Sequence, residues 1–255
     1  MKKPIVVKIG GSTFGKGETV LQDLVELQKQ GHRMVVVHGG ANEVTAWLKK
    51  MDIPTRIVNG LRVTDRDSLR VVVAVLCGAV NKEIVAQIQA LGGRAVGLCG
   101  IDGRLFETRI MEPEYGLIGK VEKVNIEPVE LLLKAGYIPV VAPSGFGIID
   151  GESILNVNGD PAAGALAAAL GAEKLIMLTD VPGVMDKDKK VIHYLTHSEV
   201  RALIDSKVAA GGMIPKLEAC LRALESVPVA QIIDGTSPHA LAEAVGGSET
   251  GTIIA

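Results

Sequence analysis

Short unbroken apolar runs alternate along the chain with longer stretches whose apolar positions recur three and four residues apart. That pattern predicts strands alternating with helices. Residues 5–9 read as the first strand, and residues 19–30 as a helix with Val20, Leu21, Leu24, Val25 and Leu27 on one face. Gly31 closes that helix, and residues 34–37 form a second strand that stops at His38-Gly39-Gly40. A helix over 42–50 follows, then a long one opened by Asp67 as N-cap and running towards Ala90, then a strand over 94–98. Between Gly100 and Val124 the pieces shorten and turn polar, which predicts β-hairpins at a rim rather than another crossover. Beyond them come a helix at 127–134, a strand at 137–141, an Ala-rich helix at 160–170 and a strand at 175–178. Helices at 197–204 and 213–224, a strand at 229–233, a helix at 238–245 and a strand at 252–254 complete the series. Repeated βα units predict a three-layer α/β/α sandwich with a mostly parallel central sheet, whose ligands bind at the carboxyl ends of the strands.

Composition narrows the function. In 255 residues, apolar side chains make up 47% and aromatics only 3%, so Val, Ile, Leu and Ala build the core, as strands buried on both faces require. Lys plus Arg, 27, nearly balances Asp plus Glu, 29, which with so few aromatics argues against nucleic-acid binding. Cys77, Cys99 and Cys220 have no metal-ligand spacing and read as small buried hydrophobes. No uninterrupted apolar run approaches the roughly 20 residues of a membrane span. The chain enters its first strand after Met-Lys-Lys-Pro, so no leader peptide, no membrane and a cytoplasmic location are expected.

Candidate chemistry begins at Lys8-Ile9-Gly10-Gly11-Ser12. A buried strand ending in a lysine and two glycines brings backbone N–H groups and one positive charge to a point, as a phosphoryl group in transfer requires. His38-Gly39-Gly40 and Gly211-Gly212-Met213-Ile214-Pro215-Lys216 repeat the theme. Gly10 to Lys16 imitates a P-loop, but position 17 is glycine where a Mg²⁺-binding hydroxyl is needed, and that reading is rejected. In Asn59-Gly60-Leu61-Arg62-Val63-Thr64-Asp65, Arg62 offers a planar fork for a carboxylate, or a surface ion pair. In Asn156-Val157-Asn158-Gly159-Asp160, alternation sets both amides on one side, while Asp160 could serve only as a helix cap.

Taken together and in order, these runs and Thr179-Asp180-Val181-Pro182-Gly183-Val184 resemble the amino acid kinase family over essentially the whole chain. The nearest likeness is to its branch acting on an acetylated acidic amino acid. The resemblance implies two lobes sharing one sheet, residues 1–157 for the acyl amino acid and 158–255 for ATP. Gly39, Gly40, Arg62, Asn156 and Asn158 would hold the small-molecule acceptor. Lys8 and Lys216 would flank the transferring phosphoryl group with the Gly10 and Gly11 amides, and Asp160 would organise the lysines. Thr179, Asp180, Val181, Gly183, Val184, Gly211, Gly212 and Met213 would line the nucleotide pocket, with Mg²⁺ carried on the nucleotide.

A carboxylate acceptor with a pKa of about 4.3 is already ionised at neutral pH, so no general base is required. Two segments depart from the branch. Ala41 stands where many members have a third glycine, and residues 100–106 resemble equally the kinases that act on carrier-protein-bound aminoadipate or glutamate. A non-catalytic nucleotide or amino-acid sensor would share the fold but has no need of Lys8, Asp160 and Lys216 together. Arginine-inhibited members carry an extra N-terminal helix, and its lack here implies a homodimer with little arginine inhibition.

Overall fold

The computed structural model describes residues 2–11, 18–58, 61–148 and 153–255. Residues 12–17, which complete the P-loop-like stretch, and Asn59-Gly60 lie outside them. In chain order the elements begin with strand β1 (Ile5–Ile9), helix α1 (Glu18–Lys29), β2 (Met34–His38), α2 (Ala41–Lys50), and the strands β3 (Arg56–Val58) and β4 (Leu61–Val63). Helix α3 (Arg66–Val73), a π-helical segment (Ala74–Val80) and α4 (Asn81–Ala90) run on as one rod. Then come β5 (Ala95–Cys99), β6 (Phe106–Ile110), β7 (Ile118–Val124), α5 (Glu127–Lys134), β8 (Ile138–Ala142), β9 (Ser144–Gly147) and β10 (Ile154–Val157). The chain finishes with α6 (Gly159–Leu170), β11 (Lys174–Thr179), β12 (Tyr194–Leu195), α7 (His197–Asp205), α8 (Met213–Ala223), β13 (Ala230–Asp234), α9 (Ala240–Val245) and β14 (Thr252–Ile254).

Eight strands form one sheet in the order β12-β14-β13-β11-β1-β2-β8-β5, parallel throughout except for the β13–β14 pair. Each face buries its own core. Val6, Val35, Val37 and Met177 face a cluster built from α5 to α8, while Ile5, Val7, Val36 and Ile176 face one built from α1 to α4 and α9. The strand period of two therefore assigns Lys8 to the face of Val6, under α6, and His38 to the face of Val36, under the long rod. The expected rim hairpins are present: β6 and β7 pair antiparallel and close with β9 and β10 into a small barrel. The β3–β4 hairpin and the short strands β9, β10 and β12 carry too little alternation to be read from sequence.

Two boundaries differ from expectation. The long helix starts at Arg66, because Asp65 rather than Asp67 accepts the Ser68 N–H as N-cap, at 2.8 Å. Asn158, not Asp160, caps α6, its Oδ1 accepting the Asp160 N–H at 3.0 Å. The rod Arg66–Ala90 also has an 18-residue window of mean hydropathy 1.7, enough in length and composition to cross a membrane. Its apolar positions are spent on the core instead: Val71, Val72, Val75, Leu76, Val80, Ile84 and Ile88 pack against the sheet.

Candidate active site

The carboxyl ends of β1, β2 and β11 open beside the amino ends of α2, α6 and α8. Between them lies a cavity of about 290 Å³. Its lining includes Lys8, Gly11, Gly39, Gly40, Arg62, Asn156, Asn158, Asp160, Gly211, Gly212 and Lys216, all read as site residues from the sequence.

Asp160 occupies the first turn of α6 and is spanned by two lysines. Lys8 Nζ lies 2.6 Å from its Oδ1, and Lys216 Nζ lies 3.1 Å from its Oδ2. The side chains of Lys8, Asp160 and Lys216 are 8%, 7% and 15% exposed, so water screens the trio poorly. Burial alone would raise the Asp160 carboxyl, but the Lys8 and Lys216 charges outweigh it and hold the carboxyl below its usual range. Burial pushes the Lys8 ammonium below its ordinary value. Asp160 opposes that shift, Lys216 adds to it, and Asp180 weakly favours the charged form. The trio carries a net positive charge beside the cavity, which suits an anion.

Small residues set the spacing of this trio. A Cβ on Gly164 of α6 would lie 2.4 Å from the Ala219 carbonyl oxygen of α8, so the two helix backbones touch there. One turn towards the amino end of each helix, that close approach brings Asp160 and Lys216 together. The Ala-rich run of α6 thus serves helix–helix as well as helix–sheet contact.

The glycine turns meet in the same way. A Cβ on Gly39 would lie 3.1 Å from the Gly11 nitrogen, and one on Gly11 3.1 Å from the Gly40 nitrogen. His38 fixes the second turn: its Nδ1–H donates to the Gly39 carbonyl at 2.8 Å, and its Nε2 accepts from Asn81 Nδ2 at 3.2 Å. Burial, reinforced by the Lys8 and Lys82 charges and opposed by the Gly39 bond, brings the His38 pKa down to about 4. The ring is therefore neutral at physiological pH and holds this tautomer. The Gly39 C=O and the Gly40 N–H belong to one planar peptide and point in opposite directions. Anchoring the carbonyl on His38 turns the Gly40 N–H away from the ring, at the amino end of α2. Asn81 escaped sequence reading, although a lone amide within an apolar helical stretch was the available signal.

Gly40 has φ +152°, and an added Cβ would meet Leu76 Cδ2 at 2.6 Å. Gly40→Ala is expected to cost about 1–3 kcal/mol of stability through backbone strain and that clash. A lowered midpoint in urea unfolding checks it.

The Arg62 side of the cavity is braced by hydrogen bonds. Arg62, in β4, donates from Nη2 to Thr45 Oγ1 at 2.6 Å and to the Ala41 carbonyl at 3.2 Å, so among the described residues its fork is held against α2 rather than by a carboxylate. Asn156 donates through Nδ2 to Thr64 Oγ1 at 3.1 Å, and Thr64 in turn donates to the Arg62 carbonyl at 2.9 Å. Arg62 and Asn156 are thus coupled through the buried Thr64, a residue of the Asn59–Asp65 run to which the sequence gave no role in the site.

The remaining predicted residues lie outside that lining. Gly10 and Thr179 are buried at the ends of neighbouring strands β1 and β11, and Thr179 Oγ1 donates to Asp180 Oδ1 at 3.4 Å. Val181 follows on the loop after β11. Val184 is in the core, with its N–H donated to Thr252 Oγ1 at 2.8 Å, and a Cβ on Gly183 would meet that same oxygen at 2.7 Å. Met213 opens α8 beside Gly212. The cysteines depart from expectation in part. Cys220 is buried, but Cys77 and Cys99 are partly exposed.

Residues 3–234 match the profile of the amino acid kinase family. The chain is 48% identical to an acetylglutamate kinase of Parasynechococcus marenigrum (strain WH8102), over 93% of this chain and 83% of that protein. It is 44% identical to an acetylglutamate kinase of Clostridioides difficile (strain 630), over 99% of this chain and 91% of that one. Among solved structures, the smu.665 protein of Streptococcus mutans UA159 superposes with a TM-score of 0.86 at 30% identity, covering 100% and 99% of the two chains.

Proposed function

The chain belongs to the amino acid kinase family, and on that premise we propose that it phosphorylates the γ-carboxylate of N-acetyl-L-glutamate with ATP, a step of arginine biosynthesis. One observation carries the reading: a buried carboxylate bridged by two lysines, in a cavity that Arg62 and two asparagines also line. Relatives at 42–48% identity bear the acetylglutamate kinase name, which favours this acceptor over a carrier-bound one and turnover over mere sensing.

In this reading Arg62 clamps the α-carboxylate of the acceptor, Asn156 and Asn158 take its amide, and the Gly39–Gly40 turn offers backbone N–H groups. The acceptor's side-chain carboxylate, ionised at neutral pH, attacks the γ-phosphorus of ATP in line while the bond to the β-phosphate oxygen breaks. Lys8 and Lys216 neutralise the charge that spreads over the moving phosphoryl group, and Asp160 keeps them apart and aimed. The nucleotide lies along Gly10, Gly11, the loop after β11 and the amino end of α8, where N–H groups favour phosphate. Mg²⁺ would arrive on the nucleotide phosphates and add charge neutralisation there. Asp160 is committed to both lysines and is not a free ligand for it. The amino-terminal lobe, 1–157, thus takes the acceptor and 158–255 takes ATP, within a cytoplasmic homodimer.

The deciding experiment traps acyl phosphate with hydroxylamine in the presence of ATP, Mg²⁺ and N-acetyl-L-glutamate. Strong hydroxamate formation is expected; ATP binding without hydroxamate would overturn the assignment.

Arg62→Ala is expected to raise KM for the acyl amino acid by about 10- to 100-fold, the worth of one charge-assisted pair, with KM for ATP little changed. An unchanged acceptor KM removes the proposed clamp. The lowered Lys8 pKa predicts a second result. Activity needs the Lys8 proton, so kcat/KM falls with rising pH below the range of an ordinary lysine. Lys8 also has a lower pKa folded than unfolded, so between those two values the unfolded chain binds more protons. Its contribution to stability therefore rises with pH in the window where activity falls. A pH–rate profile set beside urea unfolding separates loss of the proton from loss of the fold, and Lys8→Arg should move the alkaline limb to higher pH.

A further inference from the structure

Asn81, the first residue of α4, is fully buried, and its amide reaches the His38 ring beneath the Gly39–Gly40 turn. Nδ2 donates to the Val140 carbonyl of β8 at 2.9 Å, and its second hydrogen serves His38 Nε2 at 3.2 Å and the Leu98 carbonyl of β5 at 3.3 Å. Oδ1 accepts from Lys82 Nζ at 3.0 Å, and Lys82 also reaches the Gly97 carbonyl at 3.3 Å. A Cβ on Gly97 would overlap Asn81 Oδ1, so the bare backbone of β5 makes room for the amide. These partners settle which way the amide faces. Turned over, it would set Oδ1 against two carbonyl oxygens and its NH₂ against an ammonium. They settle the ring as well. Nδ1 faces the Gly39 carbonyl at 2.8 Å and must carry the proton, while Nε2 faces an NH₂ group and must be bare.

On the reading that this cavity carries phosphoryl transfer, we propose that Asn81 is a positioning residue for it. Asn81 locks the His38 ring as the neutral Nδ1–H form in one orientation, and through the Gly39 carbonyl that ring fixes the direction of the Gly40 N–H. The Gly39 N–H donates to the Ile9 carbonyl at 2.8 Å, so the turn is pinned on both sides of Gly39. Asn81 does not line the cavity, whereas Gly39 and Gly40 do, and it acts through His38. The Nδ1–H form is the minority tautomer of free histidine, so its neighbours have to select it.

The residues just before Asn81 close on Gly40 as well. A Cβ on Gly40 would meet Leu76 Cδ2 at 2.6 Å and Val80 Cγ2 at 3.4 Å. The π-helical segment Ala74–Val80 thus brings the apolar surface over Gly40 and leads directly into the amide against His38. A π turn adds a residue to the helical ladder and resets which side chains face the sheet beyond it, and such turns recur at functional sites. Lys8 and Lys82 bring positive charge towards the ring and favour its neutral state.

Long-range ¹H–¹⁵N spectra of the full chain, labelled at histidine, read the ring state directly, and His38→Asn identifies the His38 signals among the 5 histidines. Wild type is expected to show a protonated Nδ1 and a bare Nε2 across neutral pH. In Asn81→Leu, close in volume, the Nε2–H form should appear and the Gly40 amide signal should move. Its kcat with N-acetyl-L-glutamate should fall about tenfold, the worth of one neutral hydrogen bond, with KM for ATP little changed. Asparagine carries an NH₂ where imidazole has Nδ1, and glutamine carries one where imidazole has Nε2. His38→Asn should therefore keep the Gly39 bond and about ten times the kcat of His38→Gln. A wild-type ring protonated at Nε2, or an unaltered ring state in Asn81→Leu, overturns the lock. Unaltered kcat in that variant, or equal losses in the two His38 variants, overturns the positioning role. If wild type does not phosphorylate N-acetyl-L-glutamate, the functional reading fails, and the ring state and the Gly40 amide still decide the lock. Should Asn81→Leu not fold, the wild-type spectrum and the two His38 variants decide.

Discussion

Lys8→Met is expected to lower kcat by about a thousandfold while the protein still folds. One ammonium about 4 Å from a phosphoryl oxygen contributes up to roughly 4 kcal/mol at an effective dielectric near 20, and each 1.4 kcal/mol is a factor of ten. The replacement has similar length, and methionine fits a strand end whose neighbours are apolar. Asp160 keeps Lys216 at 3.1 Å, so no buried charge is left alone. Folding should therefore survive where chemistry does not. Initial rates at saturating substrates, together with a thermal unfolding curve, check both halves. A kcat within tenfold of wild type would exclude Lys8 from the transition state.

Asp160→Ala is expected to do the reverse damage, to the fold as well as to the rate. It strips the counter-charge from two mostly buried ammonium groups, and removing one partner of a buried pair costs about 3–5 kcal/mol. At neutral pH the urea midpoint should fall accordingly. The Asp160 carboxyl is held below its usual range, so its folded pKa is lower than its unfolded one. Its stabilisation is full above the unfolded value near 3.9 and is lost as pH falls through the folded one. Wild type and variant should thus converge in stability only in strong acid. ATP should stabilise the variant more than wild type, because the nucleotide phosphates replace the missing charge for both lysines. Equal stability of the two proteins at neutral pH would remove Asp160 as organiser of the pair.

Much of the fold was legible because its signals are local. Runs such as Ile5-Val6-Val7 and Met34-Val35-Val36-Val37 are buried on both faces of a parallel sheet and read as strands without reference to anything distant. The amphipathic helices were equally plain, and the glycine pairs announced turns with close backbone approach. The elements that escaped, β3, β4, β9, β10 and β12, are two to four residues long and owe their pairing to neighbours far along the chain. Cap positions also misled: Asp65 and Asp67 are equally good caps by type, as are Asn158 and Asp160, and only the backbone hydrogen bond selects between them.

Within the site, residue type and position pointed to Lys8, the glycine turns, Arg62 and the paired asparagines, each carried at an element end that a ligand can approach. Sequence by itself determined the layered α/β architecture, the strand-end glycines and the supply of cationic and amide groups, because hydrophobic period and turn chemistry act over a few residues. Tertiary structure alone decided the distances at which Asp160 holds Lys8 and Lys216, that His38 and Asn81 orient the Gly39–Gly40 peptide, and that Thr64 couples Arg62 to Asn156. Those pairings join residues remote in sequence, and charges buried at such junctions take their state from neighbours that only packing brings within a few ångströms.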